Sequence, residues 1–81
     1  MDDCRFKYKG MQFGISEGVI NDRIVSVYVD ILFPVGDELE EWCIIILRPG
    51  EEPYFHQEMI DKYGLKDEEV EEILNIAQYG S

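Results

Sequence analysis

One histidine, two cysteines and eighteen carboxylates are the side chains of this 81-residue chain that could bind a metal, attack a carbonyl or move a proton. A metal site or a Cys–His nucleophile pair would have to unite His56 with Cys4, Cys43 or acids. The chain has no close ligand pair of the C-x-x-C or H-x-x-x-H kind to bring them together. Cys43 stands inside the run Trp42-Cys43-Ile44-Ile45-Ile46, where a thiol acts as a small inert hydrophobe. His56 is expected on the surface or packed against a helix. The acids fall in turns, loops and the first turns of a helix, where solvent keeps them ionised, whereas a catalytic carboxyl needs burial or a coupled neighbour. Neither a glycine-rich phosphate loop nor a D-x-D-x-D-G calcium loop occurs. The expectation is a protein that is not an enzyme and uses no cofactor and no metal. A small metal- or thiol-dependent protein built on Cys4, Cys43 or His56 is the remotest alternative.

The formal net charge is −11. Such a surface repels phosphate backbones and anionic lipid, so direct nucleic-acid or membrane binding is not expected. Residues 1–36 hold five acids and four bases, and residues 37–81 hold thirteen acids and three bases, so the acidity belongs to the C-terminal half. Aromatic and aliphatic residues make up enough of the chain for a folded core, with room for one domain over residues 1–81. The start Met1-Asp2-Asp3-Cys4-Arg5 has acids where a secretory signal has bases, and no apolar run reaches transmembrane length. A cytoplasmic location with both thiols reduced is the expectation.

The elements that must position these groups follow from periodicity. Arg5–Lys9 and Met11–Ser16 alternate about Lys9-Gly10 as a β-hairpin, and Glu17-Gly18 and Asn21-Asp22 read as a loop. Ile24–Phe33 is the strongest strand signal, with Val25, Val27, Val29, Ile31 and Phe33 on one face. Pro34-Val35-Gly36-Asp37 turns the chain into a fourth strand, Glu41–Arg48. From Pro53 the period becomes helical: Phe55, Met59 and Tyr63 align, and Gly64 suits the stop. A second helix starts with Lys66 as cap and Leu65 and Val70 as a hydrophobic staple, buries Val70, Ile73, Leu74 and Ala77, and ends before Gly80. The predicted fold is α+β: a four-stranded antiparallel meander followed by two short C-terminal helices on one face.

The helix pair resembles a helix-turn-helix only in outline. Its second helix presents Asp67, Glu68, Glu69, Glu71 and Glu72 where a DNA reader needs donors. Glu68 with Glu71 and Glu72, and Glu69 with Glu72, stand at i+3 and i+4, each like-charge pair costing about 0.2 to 0.5 kcal/mol. With Asp37, Glu38, Glu40, Glu41, Glu51 and Glu52 they compose a candidate acidic surface for the nucleic-acid-binding groove of a basic protein partner. The simpler reading is a solvated face that keeps the chain soluble. A second candidate surface is apolar: Ile24, Tyr28 and Leu32 beside Trp42, Ile44 and Ile46 on the strand face opposite the valines. Either the N-terminal hairpin covers it with Phe6, Tyr8, Met11, Phe13 and Ile15, or it is exposed and serves a homodimer or an adaptor contact. The first expectation for function is therefore a non-enzymatic regulator or inhibitor of a basic partner, acting as a monomer or homodimer. The alternative is an assembly module that uses the apolar sheet face.

Overall fold

The computed structural model describes residues 4–79. Met1–Asp3 and Gly80, on which the readings of the chain start and of the last helix stop bear, lie outside the described residues. Five strands form one antiparallel sheet in sequence order: β1 (Phe6–Tyr8), β2 (Met11–Ile20), β3 (Arg23–Val35), β4 (Glu38–Leu47) and β5 (Tyr54–Phe55). Two helices follow, α1 (Gln57–Lys62) and α2 (Asp67–Tyr79). The meander and the helix pair agree with expectation, but the sheet has a fifth strand. Tyr54 and Phe55, expected to lie in the first helix, instead pair with Ile46 and Ile45 at the sheet edge, as β-preferring aromatics can. Glu17 and Gly18 also depart from the expected loop, because β2 continues through both to Ile20.

Turn chemistry sets the register. Lys9 and Gly10 have φ of 49° and 82°, and Asn21 and Asp22 have φ of 52° and 62°. Two consecutive left-handed residues make the turn whose twist matches a two-residue hairpin. From the second turn β2 and β3 pair as far as Gln12 opposite Leu32, with one offset: Val19 lies opposite Ile24 and Gly18 opposite Ser26, so Val25 is an extra residue. A second offset lies between β3 and β4, where Val29 opposes Ile45 and Asp30 opposes Cys43, leaving Ile44 extra. Beyond each bulge the side chains of the bulged strand change face relative to simple alternation.

The core lies between the sheet and the helices. Phe13, Val29, Ile31 and Ile45 join Ile60 of α1, Leu65 of the connection, and Val70 and Ile73 of α2 in one buried cluster. Each large side chain buried there contributes about 1.5 to 3 kcal/mol, enough to hold helices too short to persist alone. His56 Nδ1 accepts the Met59 N–H at 3.3 Å and caps α1. At its other end Gly64 N–H reaches Asp61 O and Leu65 N–H reaches Ile60 O, with Gly64 at φ 67°. That is a Schellman stop, and Ile60 and Leu65 supply its usual apolar contact. Lys66 begins α2 as expected: its N–H donates to Glu69 Oε1 at 2.9 Å and its carbonyl accepts from Val70 N–H.

Phe6, Tyr8 and Met11 pack against this same core, so the N-terminal hairpin does not curl over the opposite face. That face closes with polar groups instead. Ser16 Oγ donates to Asp30 Oδ2 at 3.2 Å, Ser26 Oγ donates to the Tyr28 hydroxyl at 2.9 Å, and Ser26 and Asp30 are buried.

Candidate functional site

β3 and β4 outrun the rest of the sheet. Pairing of β2 with β3 stops at Gln12 and Leu32, whereas Phe33, Pro34 and Val35 continue opposite Glu40, Leu39 and Glu38. Directly opposed residues share a face. One side of this two-stranded projection therefore carries Phe33, Val35, Glu38, Glu40 and Trp42, the last opposite Ile31 on the core side. The other side carries Pro34, Leu39 and Glu41. Phe33, Val35, Leu39 and Trp42 are each between 41% and 48% exposed, an unusual density of large apolar groups on so acidic a turn.

The end of α1 meets the first of these sides. The rings of Phe33 and Tyr63 lie 5.4 Å apart at 43°. Lys62 Nζ lies 5.2 Å from the Trp42 ring and 5.6 Å from the Tyr63 ring, within cation–π range of both. The indole Nε1–H donates to Glu40 Oε2 at 3.0 Å, which fixes the tilt of the ring and holds the carboxylate at the rim. Phe33, Val35, Glu40, Lys62 and Tyr63 line an open cleft of about 470 Å³. Burial, and then the Glu40 carboxylate, push the Tyr63 phenol above its ordinary range.

The acids predicted from the sequence divide into groups. Asp37 and Glu38 are exposed at the hairpin turn, with Glu40 half-buried at the cleft and Glu41 exposed on the far side. The β1–β2 turn lies at the same end of the sheet, since Gly10, Met11 and Gln12 share a shallow depression with Leu32, Phe33 and Pro34. Lys9 of that turn binds Glu69 at 3.1 Å, which brings the start of α2 towards this end. Glu72 lies beside Tyr8, whose phenol is raised first by burial and then by this carboxylate. Glu68, Glu71 and Glu72 are exposed, whereas Glu69 is engaged by Lys9 and the Lys66 N–H. Glu71 and Asp67 border a smaller cleft of about 280 Å³ with Phe55, Gln57, Ile60 and Val70. Glu51 and Glu52 follow the other end of β4, about 30 Å of strand away from the hairpin turn.

The six residues of the predicted apolar surface do not form one patch. The bulge at Ile44 carries Trp42 to the helix side opposite Ile31, and Ile44 itself is fully buried in the core. The bulge at Val25 places Ile24 opposite Val19 near the β2–β3 turn, 52% exposed. Tyr28 and Ile46 remain opposite one another on the polar face, and Leu32, only 2% exposed there, offers nothing to a partner. Sequence reasoning missed Lys62 as a neighbour of Trp42 and Tyr63 as a neighbour of Phe33. Alternation along β3 carries a signal for Phe33, which sits one strand period beyond buried Ile31, but the approach of α1 has none.

Among the described residues no group of three His, Cys, Asp or Glu is arranged to hold a metal ion. Cys43 shares the polar face with Asp30, and burial followed by the Asp30 carboxylate raises its thiol. Cys4 and Cys43 are both free thiols. Among the described residues no helix is long and apolar enough to cross a membrane. Compared with known protein families, curated proteins and solved structures, the chain shows no match.

Proposed function

We propose that this chain is a non-enzymatic regulator or inhibitor that binds a basic surface of a larger protein, with the β3–β4 projection as its principal contact. The observation that carries the proposal is the meeting of Asp37, Glu38, Glu40 and Glu41 with exposed Phe33, Val35, Leu39 and Trp42 at one end of the molecule. Carboxylates bring a cationic partner in quickly and set its orientation, while partly buried aromatics supply the anchors that hold it. Where the partner's basic surface is a nucleic-acid groove, the same carboxylates stand in for phosphates and the domain excludes the nucleic acid. Glu68, Glu71 and Glu72 extend the acidic field along α2.

Affinity capture from host lysate at low and high salt tests this function. Basic proteins should be retained at low salt and lost at high salt. Lysines in place of Asp37, Glu38 and Glu41 should abolish retention, and lysines at Glu68, Glu71 and Glu72 should weaken it. Retention indifferent to both salt and the hairpin changes would overturn the proposal.

A second reading, self-association, rests on a different observation. β1 covers β2 only from Met11 to Phe13, so among the described residues the outer edge of β2 from Gly14 to Ile20 has no strand beside it. Val19 and Ile20 at its end are 58% and 60% exposed. Such an edge can pair with a second copy. Sedimentation at micromolar concentration separates the two readings: a dimer insensitive to salt supports this one, and a monomer removes it.

A further inference from the structure

Lys62 is an intramolecular cation seated against two aromatic rings that lie on different elements, Trp42 on β4 and Tyr63 at the end of α1. Phe33 backs Tyr63, and Glu40, tied to the Trp42 indole, places a carboxylate at the rim of the same cleft. Trp42 is 41% exposed and Lys62 is exposed, so the ammonium rests on the rings at the surface and can leave without opening the core. Residues 33–42 contain four acids and no base, so apart from Lys62 the field around the cleft is negative. The chemistry that fits is therefore already displayed by the molecule itself: a cation lying on aromatic faces with a carboxylate alongside.

We propose that this cleft is a receptor for an arginine side chain of the basic partner, with Lys62 as a resident stand-in that the guanidinium displaces. This deepens the reading above and rests on the partner being basic. A guanidinium suits the cleft better than an ammonium does. Its plane stacks on Trp42 or Tyr63 while its N–H groups donate to Glu40, and it is less strongly hydrated than the ammonium it replaces. Displaced Lys62 returns to solvent at little cost, because an exposed lysine keeps its hydration and regains rotamer freedom.

Trp42 is the only tryptophan of the chain and borders the cleft through Lys62 and Glu40, so its fluorescence reports on that neighbourhood. The probe is acetylated, amidated hexaarginine, titrated into the full-length protein at low salt, with binding followed in parallel by calorimetry. The expected result is a saturable change in Trp42 emission whose midpoint coincides with the calorimetric one. Lys62→Ala should tighten binding several-fold more than Lys66→Ala, which removes an equal charge outside the cleft. Tyr63→Leu should weaken binding by about 3- to 10-fold and Tyr63→Phe should restore it. Calorimetric binding with no response from Trp42, or equal effects of Lys62→Ala and Lys66→Ala, would overturn the receptor while leaving the acidic docking surface standing. Absence of any binding at low salt would overturn both. Lys62→Ala changes an exposed side chain, so its outcome does not depend on whether Tyr63→Leu folds.

Discussion

The Lys9 ammonium lies 3.1 Å from Glu69 Oε2, a contact between side chains sixty positions apart that fastens the β1–β2 turn to the first turn of α2. Glu69 also accepts the Lys66 N–H, and this bond first, then Lys9, holds its carboxyl below the ordinary carboxylate range. A carboxyl depressed in the folded state adds stability that is present above its unfolded pKa and is lost as pH falls through the folded value. Denaturant melts between neutral pH and pH values below the carboxylate range should therefore show a loss of stability on the acid side to which Glu69 contributes. Glu69→Gln keeps an acceptor for Lys66 but loses the charge, and its acid limb should be shallower. Because the Lys9 side chain is 60% exposed, the effect is modest and shrinks with salt. Identical acid limbs for the two proteins would show that Glu69 does not carry it.

Gly18 leaves no room for a side chain. A Cβ there would stand 2.5 Å from Ser26 Oγ, which is buried and bonded to the Tyr28 hydroxyl. Gly18→Ala should force Ser26 to rotate and leave its buried hydroxyl unpaired, at a cost of about 1 to 3 kcal/mol. That exceeds the roughly 0.4 to 1 kcal/mol that alanine gains over glycine through the unfolded chain. In a Ser26→Ala background the oxygen is gone, and the same Gly18→Ala change should be neutral or stabilising. The reversal of sign in a double-mutant cycle is the measurement, and additive effects would rule this packing account out.

Much of the fold is legible in the sequence because local chemistry dictates it. Lys9-Gly10, Asn21-Asp22 and Gly36 turn the chain where left-handed backbone is needed, Gly64 stops α1, and Lys66 with Leu65 and Val70 starts α2. The features that escape a reading of the sequence are relations between strands. A bulge is an offset against a partner, and nothing in the run Trp42–Ile46 marks Ile44 as the extra residue. One offset moves Trp42 from the polar face to the helix side, dissolving the predicted apolar surface and creating the aromatic cleft. Tyr54 and Phe55 likewise become a strand only because Ile46 and Ile45 are beside them. The acids were visible as residue types, but their division between two ends of β4 required the length and direction of that strand.

The two thiols should react at different rates. Cys4 is exposed, whereas Cys43 is half-buried and its thiol is raised by burial and by Asp30. The thiolate is the reactive form. An aromatic disulfide reagent near neutral pH should therefore modify one thiol quickly and the other slowly, and denaturant should make both fast. Cys4→Ser should remove the fast phase. If Cys43→Ser removed it instead, the polar sheet face would be open to solvent at Cys43.

Stability and partner binding should separate cleanly on α2, because its two sides have different occupations. Ile73 is fully buried against the sheet, and its truncation to alanine leaves a cavity where the helix meets the core. Ile73→Ala should cost about 2 to 5 kcal/mol, a large share of the roughly 5 to 15 kcal/mol available to a domain. Since α2 carries carboxylates at repelling i+3 and i+4 spacings, it has little local stability to offset that loss, and amide exchange along α2 should rise more than along β3. Glu71, two positions earlier, is exposed, and Glu71→Gln should change stability by less than about 0.5 kcal/mol. Any loss of partner capture by Glu71→Gln then reports on the surface and not on the fold. A large destabilisation by Glu71→Gln, or tolerance of Ile73→Ala without loss of stability, would contradict this division of the helix into a packing side and an exposed side.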